Sequence, residues 1–278
     1  MRPPLEDCVL ITGASSGIGL ALAREVARRC RALVLVARRR QELETLAAEL
    51  RAAHPKLTVQ VEACDLVDEG QVSAMLDSVA RSVGHVDVLI NNAGFGDMTM
   101  FDLAGWHKSA RMIDLNVRAL TRLTHHFVGP MVERQRGGIL NISSGFGLAF
   151  LPGAAVYIGS KHFVTGFTEG LRLDLDGTGV VVSQVCPGPV VTEFNDNVGN
   201  FSGLDVPPLL SISAEQCARE ALAGFELDRP MIFPGFMNRI MMFVTLLSPR
   251  FAQRFFARMP AAKLRSMQLA ARSGQHHP

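Results

Sequence analysis

Several features that would indicate other classes of protein are scarce in this sequence. The five cysteines lie far apart, without the paired spacing of a zinc site or of a redox-active C-x-x-C motif. They are Cys8, Cys30, Cys64, Cys186 and Cys217. We therefore expect free thiols that act as small buried hydrophobic side chains in a reducing compartment, and we expect no metal site.

Net charge and long apolar runs are also limited. The formal charge of +2 is too small for a nucleic-acid-binding protein, whose basic face normally dominates the domain. The stretch Ile240 to Leu247 has eight residues and is apolar except for Thr245, whereas a helix that spans a bilayer needs about 20. The first twelve residues lead almost directly into a strand, without the regions of a secretory signal. We expect a cytoplasmic protein.

Short, nearly continuous runs of Val, Leu and Ile alternate with longer helix-periodic stretches. The runs are Cys8–Thr12, Ala32–Ala37, Leu57–Glu62, Val86–Ile90, Gly138–Ile142 and Val180–Cys186, with a seventh near Met231–Phe233. This alternation predicts an α/β fold with a doubly wound, mostly parallel sheet of about seven strands, covered by helices on both faces. One catalytic domain is expected over residues 1–235.

The glycine-rich turn Gly13, Ser15, Ser16, Gly17, Ile18 and Gly19 directly follows the first strand and opens an apolar helix. Such glycines let backbone N–H groups and a helix N-terminus approach a pyrophosphate closely. The spacing is G-x-x-x-G-x-G, which differs from the general dinucleotide fingerprint G-x-G-x-x-G. The turn therefore favours a nucleotide site, and a purely structural turn remains the alternative.

Arg38 and Arg39 follow the second strand, where NAD-binding folds place an acidic residue on the ribose hydroxyls. The first carboxylate after this strand is Glu42. A guanidinium group at this position can instead bind the 2′-phosphate of NADP through charge and bidentate hydrogen bonds. The arginines favour NADP(H), whereas a solvated helix start is the alternative.

Further polar motifs lie where later strands end. Asn92, Ala93 and Gly94 follow the fourth strand, and Ser144 follows the fifth. Tyr157 and Lys161, four residues apart, are predicted to share one helical face, where the ammonium group would lower the pKa of the phenol. Tyr157 is the only tyrosine in the chain, so any acid–base role of a phenol belongs to it.

Taken together, these motifs resemble those of the short-chain dehydrogenase/reductase family over roughly residues 7 to 235. The resemblance implies a Rossmann-like fold and hydride transfer between NADP(H) and a carbonyl or secondary alcohol. It implies a catalytic set of Asn116, Ser144, Tyr157 and Lys161, with Ser144 preferred over Ser143 by its spacing from the tyrosine. Beyond the glycine turn and Arg38 or Arg39, implied cofactor contacts are Asp65, Leu66, Asn92, Ala93, Gly94, Tyr157, Lys161, Pro187, Gly188, Val190 and Thr192.

The sequence contains no recognisable motif that indicates the substrate. Phe146, Phe150, Leu151, Phe194 and Phe201 flank the expected site and favour a lipid, steroid or other hydrophobic ketone, although packing in the core could explain several of them. The aperiodic segment 194–210 is expected to be a loop that serves the site. A catalytically silent NADPH-binding sensor or scaffold is the alternative function, and sugar-nucleotide epimerase chemistry is a minor one.

The C-terminal extension, residues 236–278, is expected to be helical, basic and hydrophobic, with a disordered end. Residues 230–278 hold seven Lys and Arg and no Asp or Glu, whereas residues 1–229 hold 21 basic and 26 acidic residues. Ser248 and Pro249 predict a helix start, after which Arg250 and Phe251 begin adjoining basic and apolar stripes. We expect this extension to shape an apolar entrance, to join a dimer or tetramer, or to contact a membrane surface peripherally.

Overall fold

The computed structural model describes residues 2–191 and 211–274. Thr192 and the predicted loop 194–210 lie outside the described residues. The strands are β1 Cys8–Thr12, β2 Ala32–Ala37, β3 Thr58–Ala63, β4 Val88–Asn91, β5 Gly137–Ile142, β6 Val180–Val185, β7 Val190–Val191, β8 Ile212–Ser213 and β9 Met231–Ile232. The predicted limits of β1 and β2 are confirmed, and the other predicted sheet strands differ by at most two residues at either end.

The helices that follow these strands cover the sheet and extend beyond it. They are α1 Gly17–Ala27, α2 Arg40–Ala53, α3 Glu69–Val83, α4 Trp106–Ile113, α5 Leu120–Glu133, α6 Ala155–Asp174, α7 Ala214–Glu226, α8 Phe236–Leu247, α9 Arg250–Arg258 and α10 Ala261–Gly274. A π-helical segment, Asp114–Ala119, joins α4 to α5, and a short 3₁₀ helix, Gly145–Gly147, follows β5.

Seven strands form one parallel sheet in the order β3-β2-β1-β4-β5-β6-β9, and β7 pairs with β8 in a separate parallel ribbon. The chain moves outward in one direction from β1 to β3 and then in the other direction from β4. The strand order therefore reverses between β1 and β4. In open α/β sheets, ligands bind beyond the carboxyl ends of the strands at such a reversal. The predicted fold class is confirmed.

Both faces of the sheet are buried. Along β1, Val9 and Ile11 join one hydrophobic cluster with α1, α2 and α7, whereas Cys8 and Leu10 join a second cluster with α3 and α5. Since successive side chains of a strand point to opposite faces, a strand covered on both sides must be apolar throughout. This explains why the predicted strands were continuous apolar runs.

Two of the three C-terminal helices, α8 and α10, lie next to the segment that follows β5. A Cβ atom on Gly145 would lie 3.3 Å from the side chain of Met242 in α8, and one on Gly153 would lie 2.8 Å from Leu264 in α10. The prediction that Ser248 caps α9 is wrong, because Pro249 is the N-cap residue and the Ser248 hydroxyl donates to the Val244 carbonyl at the end of α8. Among the described helices, none is long and apolar enough to cross a membrane.

Candidate active site

The glycine-rich turn leads from β1 into α1 with two residues in the left-handed region. Gly13 has φ +66° and Gly17 has φ +54°, conformations that favour glycine. A Cβ atom on Gly19 would lie 2.2 Å from the Gly13 carbonyl oxygen, so the turn can close only around glycine. Ser16 precedes α1 without a side-chain cap, and the first turn holds no acidic residue. The N-terminus of α1 is therefore suited to an anion.

The turn after β4 is fastened to the glycine turn by hydrogen bonds. The Thr12 hydroxyl accepts from the backbone N–H groups of Asn92 and Ala93, both at 3.0 Å. The Asn92 amide donates to the carbonyls of Thr12 at 2.9 Å and Gly13 at 3.2 Å. These bonds cross the strand reversal, and they hold together two segments predicted to contact the cofactor. Thr12 was not among the predicted site residues.

Asn116 lies in the π-helical segment and is buried. Its amide nitrogen donates to the Phe95 carbonyl at 2.9 Å and to the Ser160 hydroxyl at 3.0 Å. Its amide oxygen accepts from the Phe95 backbone at 3.1 Å. A π turn interrupts the regular α spacing and is frequent at functional sites. Here it lets one side chain connect the segment after β4 to α6.

The two serines after β5 have different neighbours. The Ser143 hydroxyl contacts the Lys161 carbonyl at 3.3 Å and the Thr165 hydroxyl at 3.0 Å, both in α6. Ser144 accepts from the Phe146 backbone at 3.2 Å and is hydrogen-bonded to Tyr157. The structure therefore brings Ser144 to the phenol and directs Ser143 into the packing of α6.

Tyr157 and Lys161 lie in the first two turns of α6, and both are buried. The Lys161 ammonium donates to the Ile142 carbonyl at 2.9 Å and lies 6.0 Å from the centroid of the Tyr157 ring. A Cβ atom on Gly94 would lie 3.6 Å from the Lys161 nitrogen and 3.0 Å from the Asn116 amide oxygen. The four predicted catalytic side chains and the turn after β4 thus converge at one end of the sheet.

Burial dominates the electrostatics of this pair. It raises the pKa of the Tyr157 phenol to about 12, although the hydrogen bond with Ser144 acts in the opposite direction. It lowers the pKa of Lys161 to about 8, with Cys186 acting in the opposite direction. Desolvation therefore sets the direction of the shift at Tyr157, and the expected lowering of the phenol pKa by Lys161 stays a prediction. The phenol therefore keeps its proton at neutral pH.

The residues predicted to select NADP(H) lie at the ends of β2 and β3. Arg38 and Arg39 are exposed, and the Arg39 guanidinium donates to the Ser15 hydroxyl at 3.2 Å and to the Ser15 carbonyl at 3.3 Å. Leu66 is buried, whereas Asp65 is half-buried and forms an ion pair with Arg111. Arg39 is thus positioned beside the glycine turn.

The segment after β6 approaches the site from the opposite side. Pro187 is buried, and its carbonyl accepts from the Gly145 backbone at 2.8 Å. Val190 is also buried, whereas Thr192 lies outside the described residues. A Cβ atom on Gly188 would lie 2.8 Å from the amide oxygen of Asn238 in α8. These contacts place Pro187, Gly188 and the 3₁₀ helix side by side.

Asn238 is a residue that the sequence interpretation missed. Its amide donates to the carbonyls of Cys186 at 3.0 Å and Pro234 at 3.1 Å, and among the described residues its oxygen has no hydrogen-bond partner. The sequence carries no signal for this contact, because Asn238 lies 52 positions from Cys186. It holds the backbone that leads to Gly188.

Taken together, these features fit a dinucleotide. A Cβ atom at Gly13, Gly19, Gly94 or Gly188 would lie within 3.0 Å of a neighbouring segment, so these turns pack tightly only around glycine. The N-terminus of α1 suits the pyrophosphate, and the Lys161 ammonium suits a ribose hydroxyl. No cluster of three or more potential metal ligands occurs among residues 2–191 and 211–274.

Comparison with known proteins identifies a family over most of the chain. The profile of the short chain dehydrogenases matches residues 7–202. Sulfoacetaldehyde reductase 2 of Chromohalobacter salexigens is 40% identical over 195 residues, which cover 68% of this chain and 75% of the relative. The residues that match the profile include the glycine turn, the segment after β4, and Ser144, Tyr157 and Lys161.

Two solved structures share the fold. A short-chain dehydrogenase from Sphingobium yanoikuyae in complex with NADPH is 31% identical, with a TM-score of 0.76, over 87% of this chain and 96% of its own. The bulky-bulky ketone specific alcohol dehydrogenase from Comamonas testosteroni is 28% identical, with a TM-score of 0.72, over 87% of this chain and 94% of its own. The chain therefore belongs to the short-chain dehydrogenase family of oxidoreductases.

Proposed function

We propose that this protein is an NADPH-dependent reductase that converts an apolar ketone to a secondary alcohol, or catalyses the reverse reaction. The convergence of Asn116, Ser144, Tyr157 and Lys161 at the carboxyl end of the sheet is the observation that supports this most strongly. A binding-only protein would have no need for a buried phenol that keeps its proton beside a hydroxyl and an ammonium.

The cofactor would be held along the strand reversal. The glycine turn would bind the pyrophosphate, Arg38 and Arg39 would bind the 2′-phosphate, and Asp65 and Leu66 would flank the adenine. Asn92, Ala93 and Gly94 would line the middle of the site, with Pro187, Gly188, Val190 and Thr192 around the nicotinamide. The exposed arginines support NADPH over NADH, because a guanidinium group binds phosphate through charge and paired hydrogen bonds.

When bound, the nicotinamide supplies the hydride that reduces the carbonyl carbon. Negative charge then develops on the substrate oxygen, which the Ser144 and Tyr157 hydroxyls would stabilise by hydrogen bonds. The Tyr157 phenol would donate its proton to that oxygen. Lys161 would hold the nicotinamide ribose, and its positive charge would stabilise the phenolate that results. Asn116 would position a water molecule through which the phenolate recovers a proton.

The surroundings of Tyr157 support an apolar substrate. The Phe146 ring meets the Tyr157 ring edge to face, with 6.3 Å between centroids, and the Phe150 ring stacks on His162. A pocket of about 420 Å³ lies beside the start of α6, and none of the four catalytic side chains lines it. It is lined by Met100, Phe101, Asp102, Pro152, Gly153, Ala155, Ala261, Ala262 and Arg265. Helix α10 contributes Ala261, Ala262 and Arg265 to this pocket, and we propose that it shapes the entrance.

Replacement of Tyr157 by Phe tests the catalytic assignment. The phenyl ring preserves the packing but cannot donate a proton, so we expect NADPH to bind nearly normally and turnover to fall at least about a hundredfold. NADPH oxidation is followed with a panel of ketones and aldehydes that includes bulky apolar ketones and sulfoacetaldehyde. Cofactor binding is measured separately by fluorescence.

Two outcomes would contradict the proposal. Turnover of Tyr157→Phe above about a tenth of the unsubstituted protein would show that Tyr157 is not the proton donor. NADPH binding without oxidation by any carbonyl of the panel would favour a silent sensor or scaffold on the same fold. Preference for sulfoacetaldehyde over the bulky ketones would contradict only the substrate class.

A further inference from the structure

Helix α8 has two faces with different surroundings. Asn238 and Met242, one helical turn apart, are buried against the Gly188 and Gly145 segments of the site. The side chains of Phe236, Ile240, Phe243, Val244 and Leu247 follow the opposite face and are all exposed, Phe236 by 71%. An amphipathic helix of a globular protein normally carries polar residues on its outer face. The outer face of α8 is instead an apolar stripe.

Helix α9 continues this exposed apolar surface. Phe251, Phe255 and Met259 are spaced by four residues and are 74%, 65% and 72% exposed. Residues 236–259 contain ten of the nineteen large hydrophobic side chains that are exposed in the described part of the chain. Such a concentration marks an interaction surface, because scattered single side chains are the normal pattern. We refer to residues 236–259 as the α8–α9 surface.

The charge of this surface indicates its partner. Arg250, Arg254 and Arg258 form an exposed stripe beside the phenylalanines of α9, and none of the three has an ion-pair partner within residues 2–191 and 211–274. Residues 230–278 contain no acidic side chain. A stripe of Phe next to a stripe of Arg is the arrangement by which interfacial helices bind anionic lipid.

A second copy of the chain fits this surface less well. In a twofold dimer the same patch meets itself, so the arginine stripes of both copies would enter an interface to which residues 230–278 bring no carboxylate. Like charges placed together oppose association. A bilayer that carries anionic headgroups would satisfy both stripes at once, because its surface attracts the arginines and its acyl boundary receives the phenylalanines.

We propose that the α8–α9 surface docks this protein onto membranes that contain anionic lipids. Helices α8 and α9 lie in the plane of the interface between lipid and water and do not span the bilayer. Since the inner face of α8 contacts the Gly145 and Gly188 segments, docking brings the mouth of the site close to the lipid. This proposal concerns binding and holds whether or not the protein reduces an apolar ketone.

Vesicle flotation of the full chain tests the proposal. One set of vesicles contains phosphatidylcholine alone, and the other contains equal amounts of phosphatidylcholine and phosphatidylglycerol. We expect at least about tenfold stronger partition to the anionic vesicles at low ionic strength, and loss of this difference at high ionic strength. The triple variant Arg250→Gln, Arg254→Gln, Arg258→Gln removes three charges and should weaken partition about a hundredfold.

Matched variants separate this surface from the rest of the molecule. Phe251→Ser with Phe255→Ser should also weaken partition, whereas Leu173→Ser with Leu227→Ser should not, although the last two residues are 78% and 63% exposed elsewhere. The proposal is overturned if the full chain stays in the soluble fraction when it is mixed with anionic vesicles at low ionic strength. The surface would instead belong to an interface between two copies if the unsubstituted chain does not bind vesicles and Phe251→Ser with Phe255→Ser converts a dimer to a monomer.

Discussion

At the scale of single residues, the arginines after β2 make cofactor choice testable. Replacement of Arg39 by Ala removes a guanidinium group that lies against Ser15 of the glycine turn. Because a hydrogen bond to a charged group contributes about 1.5–3 kcal/mol, we expect the KM for NADPH to rise about tenfold to a hundredfold, with the KM for NADH little changed. Arg38→Ala should act in the same direction.

Arg40→Ala is the matched control for these variants. Arg40 is the next residue in the chain, but it begins α2 and pairs with Glu44 along the helix. Its replacement should leave both KM values unchanged. Equal catalytic efficiency of the unsubstituted protein with NADPH and NADH would contradict the assignment of the arginines.

Asn238 gives a second prediction at this scale. Asn238→Ala removes two hydrogen bonds and leaves the buried carbonyls of Cys186 and Pro234 without their donor, which should cost about 1–3 kcal/mol of stability. Because the first carbonyl leads into Pro187 and Gly188, we expect weaker NADPH binding with a smaller change in kcat. Fluorescence titration and steady-state kinetics separate the two effects.

The neighbouring variant Arg239→Ala is the control, since Arg239 is exposed and pairs with Glu220. An unchanged NADPH dissociation constant in Asn238→Ala would show that Asn238 serves only the stability of α8. A loss of kcat at unchanged NADPH affinity would equally contradict a role in positioning the Gly188 segment.

These residues also show what the sequence could and could not predict. Short motifs at a strand end or a helix start indicated Ser144, Tyr157 and Lys161, because parallel strands bring such ends together. Asn116 lies between α4 and α5, and only the family resemblance indicated it. Asn238 and the Thr12 hydroxyl act on backbone groups far along the chain, so no local spacing indicates them. Helical spacing gave Tyr157 its neighbour Lys161, but it could not give the extent of burial that raises the pKa of the phenol.

At the scale of secondary-structure elements, α10 is attached to the segment after β4. Gln268 donates to the Met98 carbonyl at 3.1 Å and accepts from the Met100 backbone at 2.8 Å. Arg265 forms two hydrogen bonds of 2.9 Å with Asp102, and Leu264 is buried against Gly153. This helix therefore closes one side of the pocket beside the start of α6.

Weakening the contacts of α10 should change the choice of substrate more than the rate of the chemical step. Leu264→Ala removes the buried contact with Gly153, and we expect the KM for a bulky ketone to rise about threefold to tenfold with little change for a small aldehyde. Leu269→Ala, at a side chain that is 46% exposed in the same helix, is the control. Equal effects on both substrates would show that α10 does not line the substrate entrance.

The limits of the elements were predictable to different degrees. The predicted bounds of β1 and β2 agree with the structure, because a strand buried on both faces is an apolar run with polar ends. The π segment Asp114–Ala119 gives no such signal, since its hydrogen-bond pattern depends on the packing of Asn116. The start of α9 was placed one residue early, because Ser248 completes α8 instead.

At the scale of the whole molecule, five buried thiols link stability to alkaline pH. Burial raises the pKa of Cys8, Cys30, Cys186 and Cys217 to about 12 and of Cys64 to about 11, from the ordinary 9.0. Above pH 9 the unfolded chain releases these protons while the folded chain retains them. The free energy of unfolding should therefore fall as pH rises above 9.

Lys161 acts in the opposite sense, because its lowered pKa makes the unfolded chain bind more protons between about pH 8 and pH 10.5. One such group is outweighed by five thiols. Each thiol contributes at most about 1.4 kcal/mol per pH unit. Urea unfolding under reducing conditions at pH about 8 and about 10 measures the difference. Cys217→Ala should reduce this difference by about a quarter, because Lys161 offsets part of the thiol contribution. Equal stability at both pH values would contradict the prediction.

The π segment between α4 and α5 has a consequence for chain length. A π turn bonds each residue to the one five positions away, so it contains one residue more than an α turn. Loss of one residue from Asp114–Ala119 would allow a regular α-helix, with better internal geometry. It would also rotate Asn116 away from Phe95 and Ser160. A deletion within this segment should therefore lower activity more than most substitutions would. The number of residues between α4 and α5 is itself part of the site.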